Sequence, residues 1–376
     1  MRGLVRSRPC PRPRYPARVT SAVHLFDPAA FRDAVQMVLD EFLDEQAERL
    51  APLGPDAAAL VAEARIAVTG GKRLRAAFCH AGYVAVRPEI ADERALLRAC
   101  ASLELLHASA LVHDDYMDAS DTRRGRAASH RIFESAHTDA GWDGNPQQYG
   151  AAAAILLGDL LLTWADELLR RCGLPLADVA PALDMFDLCR SEVVAGQFLD
   201  VSVQARGVAD VDTAMTVLRF KSAKYSVERP LHIGAALAGA SDAQIQALTD
   251  FGVPLGEAFQ LRDDQLGVFG DPALTGKPAG DDLVEGKRTV LVAMALDAAP
   301  APEATVLDEA LGTPLDDAMV DELRRIITAA GADVKVEALI DELTERSLAA
   351  LDAAPLDAAA KGTLRDLAAA ATRRTT

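Results

Sequence analysis

The chain has 376 residues, half of them hydrophobic, with few aromatics and a net charge of -17. That acidic balance excludes a nucleic-acid surface, which needs a cationic footprint. Ala and Leu dominate where strands would want β-branched and aromatic residues, so the expected class is all-α. No uninterrupted apolar run has the length of a membrane-spanning helix. The longest, 151–165, is broken by Gly158 and Asp159. Cys10, Cys79, Cys100, Cys172 and Cys189 are odd in number and scattered, as small core residues in a reducing cytoplasm would be.

In chain order, the first segment is unlike the rest. Residues 1–26 interleave six Arg from Arg2 to Arg18 with four Pro from Pro9 to Pro16, and no acid precedes Asp27. The prolines forbid an amphipathic targeting helix, and the segment reads as a disordered basic extension. A single helical domain is expected over 27–376. Its 3.6-residue periodicity predicts helices over 28–50, 56–69, 72–86, 92–118, 148–171, 178–204, 211–239, 242–269, 289–297, 315–330, 332–353 and 356–373. Asp27-Pro28 supplies a cap and an N1 proline for the first. Two loops are expected, a polar one over 135–147 and a Gly-, Lys- and Arg-bearing one over 270–288.

Candidate chemistry begins at Asp114-Asp115-Tyr116-Met117-Asp118. Asp114 and Asp118, four apart, share a helix face, where like charges repel unless a cation offsets them. Upstream, Leu96, Cys100, Leu103, His107 and Ala110 step by threes and fours into Asp114, so the acid pair continues a largely buried stripe. Buried carboxylates need partners. Mg²⁺ fits, because it takes one or two carboxylates and shares substrate phosphates.

Cationic groups flank that segment. Gly70-Gly71-Lys72-Arg73-Leu74-Arg75 opens a helix with Lys72 and Arg75 expected in its first turn, where cations are unfavourable unless an anion binds. Arg123-Arg124-Gly125 offers two guanidinium forks suited to phosphate. A second acid pair, Asp263-Asp264, closes a helix at the wrong end for the macrodipole, again suggesting a bound cation. Lys277, Lys287 and Arg288 then form a basic loop able to close over phosphates.

Taken in order, Gly-Gly-Lys-Arg-Leu-Arg, His107, D-D-x-x-D with Arg-Arg-Gly following, Lys221-Ser222, Gln260 with Asp263-Asp264, and Gly-Lys-Pro resemble the trans-isoprenyl diphosphate synthases over roughly residues 30–300. The stretch 259–289 looks most like actinobacterial geranylgeranyl diphosphate synthases. The resemblance implies a helical isoprenoid-synthase bundle around a central cavity, a homodimer, and Mg²⁺-dependent head-to-tail condensation of isopentenyl diphosphate with an allylic diphosphate. It assigns Lys72, Arg75, His107 and Arg124 to the diphosphate of isopentenyl diphosphate. Asp114 and Asp118 would hold two Mg²⁺ on the allylic diphosphate, and Asp263 a third. Arg123, Lys221, Lys277 and Lys287 would grip that diphosphate, while Ser222 and Gln260 line the path of the allylic cation.

One position departs from the pattern. Most relatives carry a third acid where this chain has Gly267, leaving Asp271, Asp281 or Asp282 as the nearest substitutes. For product length, farnesyl-type enzymes place bulk where this chain has Ser109 and Ala110, so a longer tail passes. Leu106, a rise of about 4.5 Å further along the helix, is the expected floor for a geranylgeranyl product. A rotated Leu106 would leave Leu103 as the floor and give longer products. The rival readings are a longer-chain polyprenyl diphosphate synthase, a class I terpene cyclase, and a non-catalytic subunit of a heteromeric synthase.

Overall fold

The computed structural model describes residues 27–207, 210–270 and 280–372. The helices run α1 Pro28–Leu50, α2 Pro55–Ala67, α3 Leu74–Val86, α4 Glu93–Met117, α5 Ser129–Asp139, α6 Pro146–Arg170 and α7 Leu176–Arg206. Next come α8 Val211–Val217, a π-helical stretch Leu218–Glu228 and α9 Arg229–Leu237, which are continuous, and then α10 Asp242–Phe269. The remainder is α11 Asp281–Val284, α12 Val290–Ala298, α13 Ala301–Ala310, α14 Asp317–Ala329, α15 Ala332–Ala353 and α16 Ala358–Thr372. Every predicted helix is present with ends within two residues of expectation. The strands are confined, among the described residues, to a hairpin in which Thr122–Arg123 pairs antiparallel with Arg126–Ala127.

Local chemistry sets many of these starts. Asp27 accepts from Ala29 N at 2.9 Å ahead of Pro28, and Asp92 accepts from Ala95 N at 3.0 Å to start α4. Ser241 and Gln244 form a reciprocal capping box for α10.

Three expectations are corrected. Residues 135–139 are not loop but the end of α5, a short helix that buries His130, Phe133 and His137. Residues 301–310, left without an element, form α13. Helix α3 begins at Leu74, so Lys72 precedes it rather than lying in its first turn. No uninterrupted apolar run of membrane-spanning length occurs, but one helix among the described residues is long and apolar enough by overall composition. Helix α4 passes that test, yet 72% of its apolar window is buried inside the protein, as a core helix should be.

Two apolar cores meet around a central cavity. The first is built by α1–α7, α9, α10 and the chain's final helices, the second by α8, α12–α15 and the C-terminal half of α10. The cavity, about 900 Å³, takes Leu106 and Val193 from the first core and Ala214, Leu218 and Val290 from the second.

The π stretch has a visible steric cause. A Cβ at Gly196 of α7 would sit 2.6 Å from Phe220 C and 2.8 Å from Lys221 Cα, and one at Gly256 of α10 would sit 2.8 Å from Ala223 C. Two glycines therefore admit the backbone of this widened segment from both sides. Its bulge points Lys221, Ser222 and Tyr225 into the cavity.

Candidate active site

The end of α4 carries the first acid pair. Asp114 Oδ1 accepts from Gln197 Nε2 at 3.0 Å and lies 3.3 Å from Lys221 Nζ. Lys221 is in turn anchored by Asp200 at 2.7 Å. Burial opposes the Asp114 charge, but Lys221, Lys287 and Arg123 outweigh it and hold its carboxyl below the ordinary range. Asp118, the C-cap, meets the opposite balance. Burial, then the neighbouring Asp114, push it up to about 6. Its Oδ2 is buried without a hydrogen-bond partner and lies 3.4 Å from Lys287 Nζ.

Helix α10 brings the second pair to the same cavity. Asp263, Asp264 and Gln260 all line it, and Gln260 Nε2 donates to Asp264 Oδ1 at 2.8 Å. Burial, then Asp282, raise the Asp264 carboxyl to about 8. The two acid segments are tied through the turn after α11. Ser120 Oγ donates to Glu285 Oε1 at 2.6 Å, and the buried Lys287 bridges Glu285, Asp282 and Asp118.

A separate cationic group sits across the cavity. Gly70 and Gly71, both at positive φ, turn the chain tightly into Arg73, itself at φ 56. Arg73 is 5% exposed and pairs with Glu104 at 3.1 Å, so it is the nail of this turn rather than a ligand. Lys72 and Arg75, on either side, line the cavity. Arg75 lies over the Tyr225 ring and donates to Ser226 Oγ at 2.7 Å, with its Nε buried and unpartnered. His107 shares a hydrogen bond with Tyr225 Oη at 2.9 Å. Burial, then Arg75 and Arg124, push its pKa well below the usual value, so it contributes a neutral donor or acceptor.

The Arg123–Arg124 hairpin is pinned from outside. Glu63 of α2 accepts both Arg126 guanidinium nitrogens at 2.9 Å and Ser129 Oγ at 2.7 Å. Arg123 is bound by buried Asp115, while Arg124 donates to Thr69 O at 2.8 Å beside Gly71.

These donors fit Mg²⁺ in a particular way. Among the described residues no three ligand-type side chains converge to enclose an ion. A site that offers single carboxylates, one with an orphaned buried oxygen, suits a hard cation that completes its shell with water and phosphate oxygens.

The raised acids also give a pH signature. Asp264 keeps its proton in the folded chain up to about pH 8 against an ordinary 3.8. Its stabilising contribution is therefore complete below about pH 4 and lost as pH rises through 8. The Tm of metal-free protein should fall between pH 6 and 8, and Asp264→Asn should flatten that fall. A Tm that rises across the window in both proteins would contradict this assignment.

The polyprenyl synthetase family model matches residues 59–329. The chain belongs to that family. Its members are prenyltransferases, and the fold neighbours agree. A crystal structure of geranylgeranyl pyrophosphate synthase from Corynebacterium glutamicum, complexed with isoprenyl diphosphate and magnesium, aligns with TM-score 0.90 and 41% identity, covering 93% of this chain and all of that one. The geranylgeranyl diphosphate synthase of Sulfolobus acidocaldarius is 35% identical over 215 residues, 56% of this chain and 60% of its own length. The geranylfarnesyl diphosphate synthase of Natronomonas pharaonis is 32% identical over 253 residues, 67% of this chain and 68% of that enzyme.

Set against the polyprenyl synthetase pattern, the cavity gathers Lys72, Arg75, His107, Asp114, Arg123, Arg124, Lys221, Ser222, Gln260, Asp263 and Lys287, with Leu106, Ser109 and Ala110 along α4. Asp118 stands behind the lining, reaching it through Lys287. Leu103 is fully buried in the core and does not line the cavity. Lys277 and Asp271 lie outside the described residues. Sequence reasoning passed over Gln197, Asp200, Asp115, Glu63 and Tyr225. For the first two a signal existed: Gly196-Gln197-Phe198-Leu199-Asp200 places an amide next to, and an acid one helical turn from, the glycine that admits Lys221.

Proposed function

We propose that this protein condenses isopentenyl diphosphate head-to-tail with an allylic diphosphate, using Mg²⁺, and that its product is geranylgeranyl diphosphate. The observation that carries the reading is one cavity lined both by acids paired with lysines and by a second set of cations, with apolar side chains of α4 beside them. Asp114, Asp118 and Asp263 with Lys221 and Lys287 form the first set; Lys72, Arg75, His107 and Arg124 form the second. A class I cyclase would have no use for the second.

Asp114, Asp118 and Asp263 would hold Mg²⁺, a third ion resting on Asp263, and Mg²⁺ when bound neutralises charge growing on the departing diphosphate. Lys221 and Lys287, held buried by Asp200, Asp282 and Glu285, supply fixed positive charge to the same oxygens. Arg123 and Lys277 would join them. Arg75, Lys72, Arg124 and neutral His107 orient the second diphosphate so that its double bond faces the allylic carbon. Ser222 and Gln260, which also line the cavity, would flank the path between them. The proton lost after bond formation has the released diphosphate as its nearest base of suitable charge.

Leu106 sets the length in this reading. It lines the cavity at 3% exposure, beyond Ser109, whose hydroxyl is turned away to Gly158 O at 2.7 Å, and beyond the small Ala110. Leu106→Ala should shift the product to longer chains, read by chromatography of the dephosphorylated alcohols; an unchanged product would remove Leu106 from this role.

A homodimer is proposed on Ile155, Leu156, Leu188, Val194 and Phe198, large apolar side chains that α6 and α7 leave exposed. The cytoplasm is the proposed location, and 27–376 the proposed catalytic domain behind a basic extension. The deciding experiment supplies Mg²⁺, isopentenyl diphosphate and dimethylallyl, geranyl or farnesyl diphosphate in turn. Geranylgeranyl diphosphate is the expected product, and absence of elongation with every primer would overturn the reading.

A further inference from the structure

Gly267 occupies the place where the second acidic segment lacks its third acid, and the structure shows what fills the space. A Cβ built on Gly267 would stand 2.5 Å from Asp282 Cγ and closer still to Oδ2. The Asp282 carboxylate therefore lies directly on the bare backbone of α10, one turn beyond Asp263. It is 8% exposed and lines the cavity beside Asp263 and Asp264.

The turn that carries Asp282 is fixed rather than adventitious. Gly280 caps α11 in the left-handed region, Leu283 is fully buried, and Leu283 O accepts from Gly312 N at 3.1 Å. The backbone then closes as Lys287 N donates to Asp282 O at 2.9 Å. A second observation is an orphaned acid oxygen beside this turn. Asp118 Oδ2, on a side chain only 3% exposed, has no hydrogen-bond partner and lies 3.4 Å from Lys287 Nζ, and Asp282 Oδ1 lies 3.5 Å from the same nitrogen. Carboxylates from the first acidic segment and from this turn thus meet at the Lys287 ammonium.

We propose that Asp282 is the third carboxylate of the second acidic segment, delivered across Gly267 from the following turn, and that it serves the dication held by Asp263, directly or through that ion's water. Gly267 is then a specific partner of Asp282: any side chain there must push the carboxylate aside. The inference rests on the Mg²⁺-diphosphate reading of the cavity.

The test counts ions without turnover. Full-length protein is titrated with Mn²⁺ in the presence of inorganic diphosphate, bound Mn²⁺ is read by EPR, and Tm is measured with and without both. Asp282→Asn and Gly267→Ala should each weaken one class of bound Mn²⁺ by about 10- to 100-fold. Each should reduce the Tm gain on Mn²⁺ and diphosphate, while Tm without them stays near wild type. Gly267→Asp, which displaces Asp282 but brings its own carboxylate, should retain more affinity than Gly267→Ala. Wild-type Mn²⁺ binding in Asp282→Asn or in Gly267→Ala overturns the inference, as does equal loss in Gly267→Ala and Gly267→Asp. Failure of the wild type to bind Mn²⁺ with diphosphate would remove the parent reading, and this one with it.

Discussion

Asp114→Asn is expected to lower kcat by about 10³-fold or more while leaving the fold intact. The substitution keeps the shape and the amide oxygen that can still accept from Gln197, at 3.0 Å in the native chain. Lys221 is not stranded, because Asp200 holds it at 2.7 Å. Only the negative charge is removed, and that charge is what a dication on the substrate diphosphate would need. Native Lys221, Lys287 and Arg123 already overcome the burial of Asp114 to keep it ionised, so the charge is maintained at some cost to the local environment. The measurement is steady-state kcat at saturating substrates, with Tm as the control for folding. A variant that keeps a tenth of wild-type kcat would falsify a direct metal role for Asp114.

The second large effect is on stability. Arg73→Met strands Glu104, a carboxylate 6% exposed whose pairing with Arg73 spans 3.1 Å and whose other oxygen accepts from Ala76 N at 3.2 Å. Removing one member of a buried pair costs about 3–5 kcal/mol, because the survivor's charge is left uncompensated. For a chain of this size that is a fall in Tm of roughly 4–6 °C. Arg73 also donates to Gln36 Oε1 and Val68 O, so α1 and the end of α2 loosen with it. Arg73→Met/Glu104→Gln should recover part of the loss, since no bare charge remains. A single variant as stable as wild type would mean that the turn carrying Lys72 is held by its glycines alone.

Arg73 shows a role that the motif leaves unstated. In sequence, Lys72, Arg73 and Arg75 are three neighbouring cations before a helix. In the fold, the left-handed backbone at Arg73 pairs one of them with buried Glu104 in the cavity wall, while Lys72 and Arg75 line the cavity on either side. Helix α5 was lost for a related reason. Over 135–139 the residues are polar and run into a Gly- and Asn-rich turn, and what makes them helical is the packing of His130, Phe133 and His137 onto neighbouring structure. The π stretch read as ordinary helix because its periodicity is helical; its widening follows the two close backbone approaches at Gly196 and Gly256.

The sequence by itself determined the helical class, the helix ends set by caps and prolines, and the presence of two acid segments with flanking cations. These are local properties: periodicity, capping and charge spacing act within a few residues. Tertiary structure alone decided which charges meet. Gln197 reaches Asp114 across 83 positions, Ser120 reaches Glu285 across 165, and Asp282 settles on Gly267 from a different element. Such pairings depend on how helices cross and how closely their backbones approach, and no spacing along the chain encodes that distance.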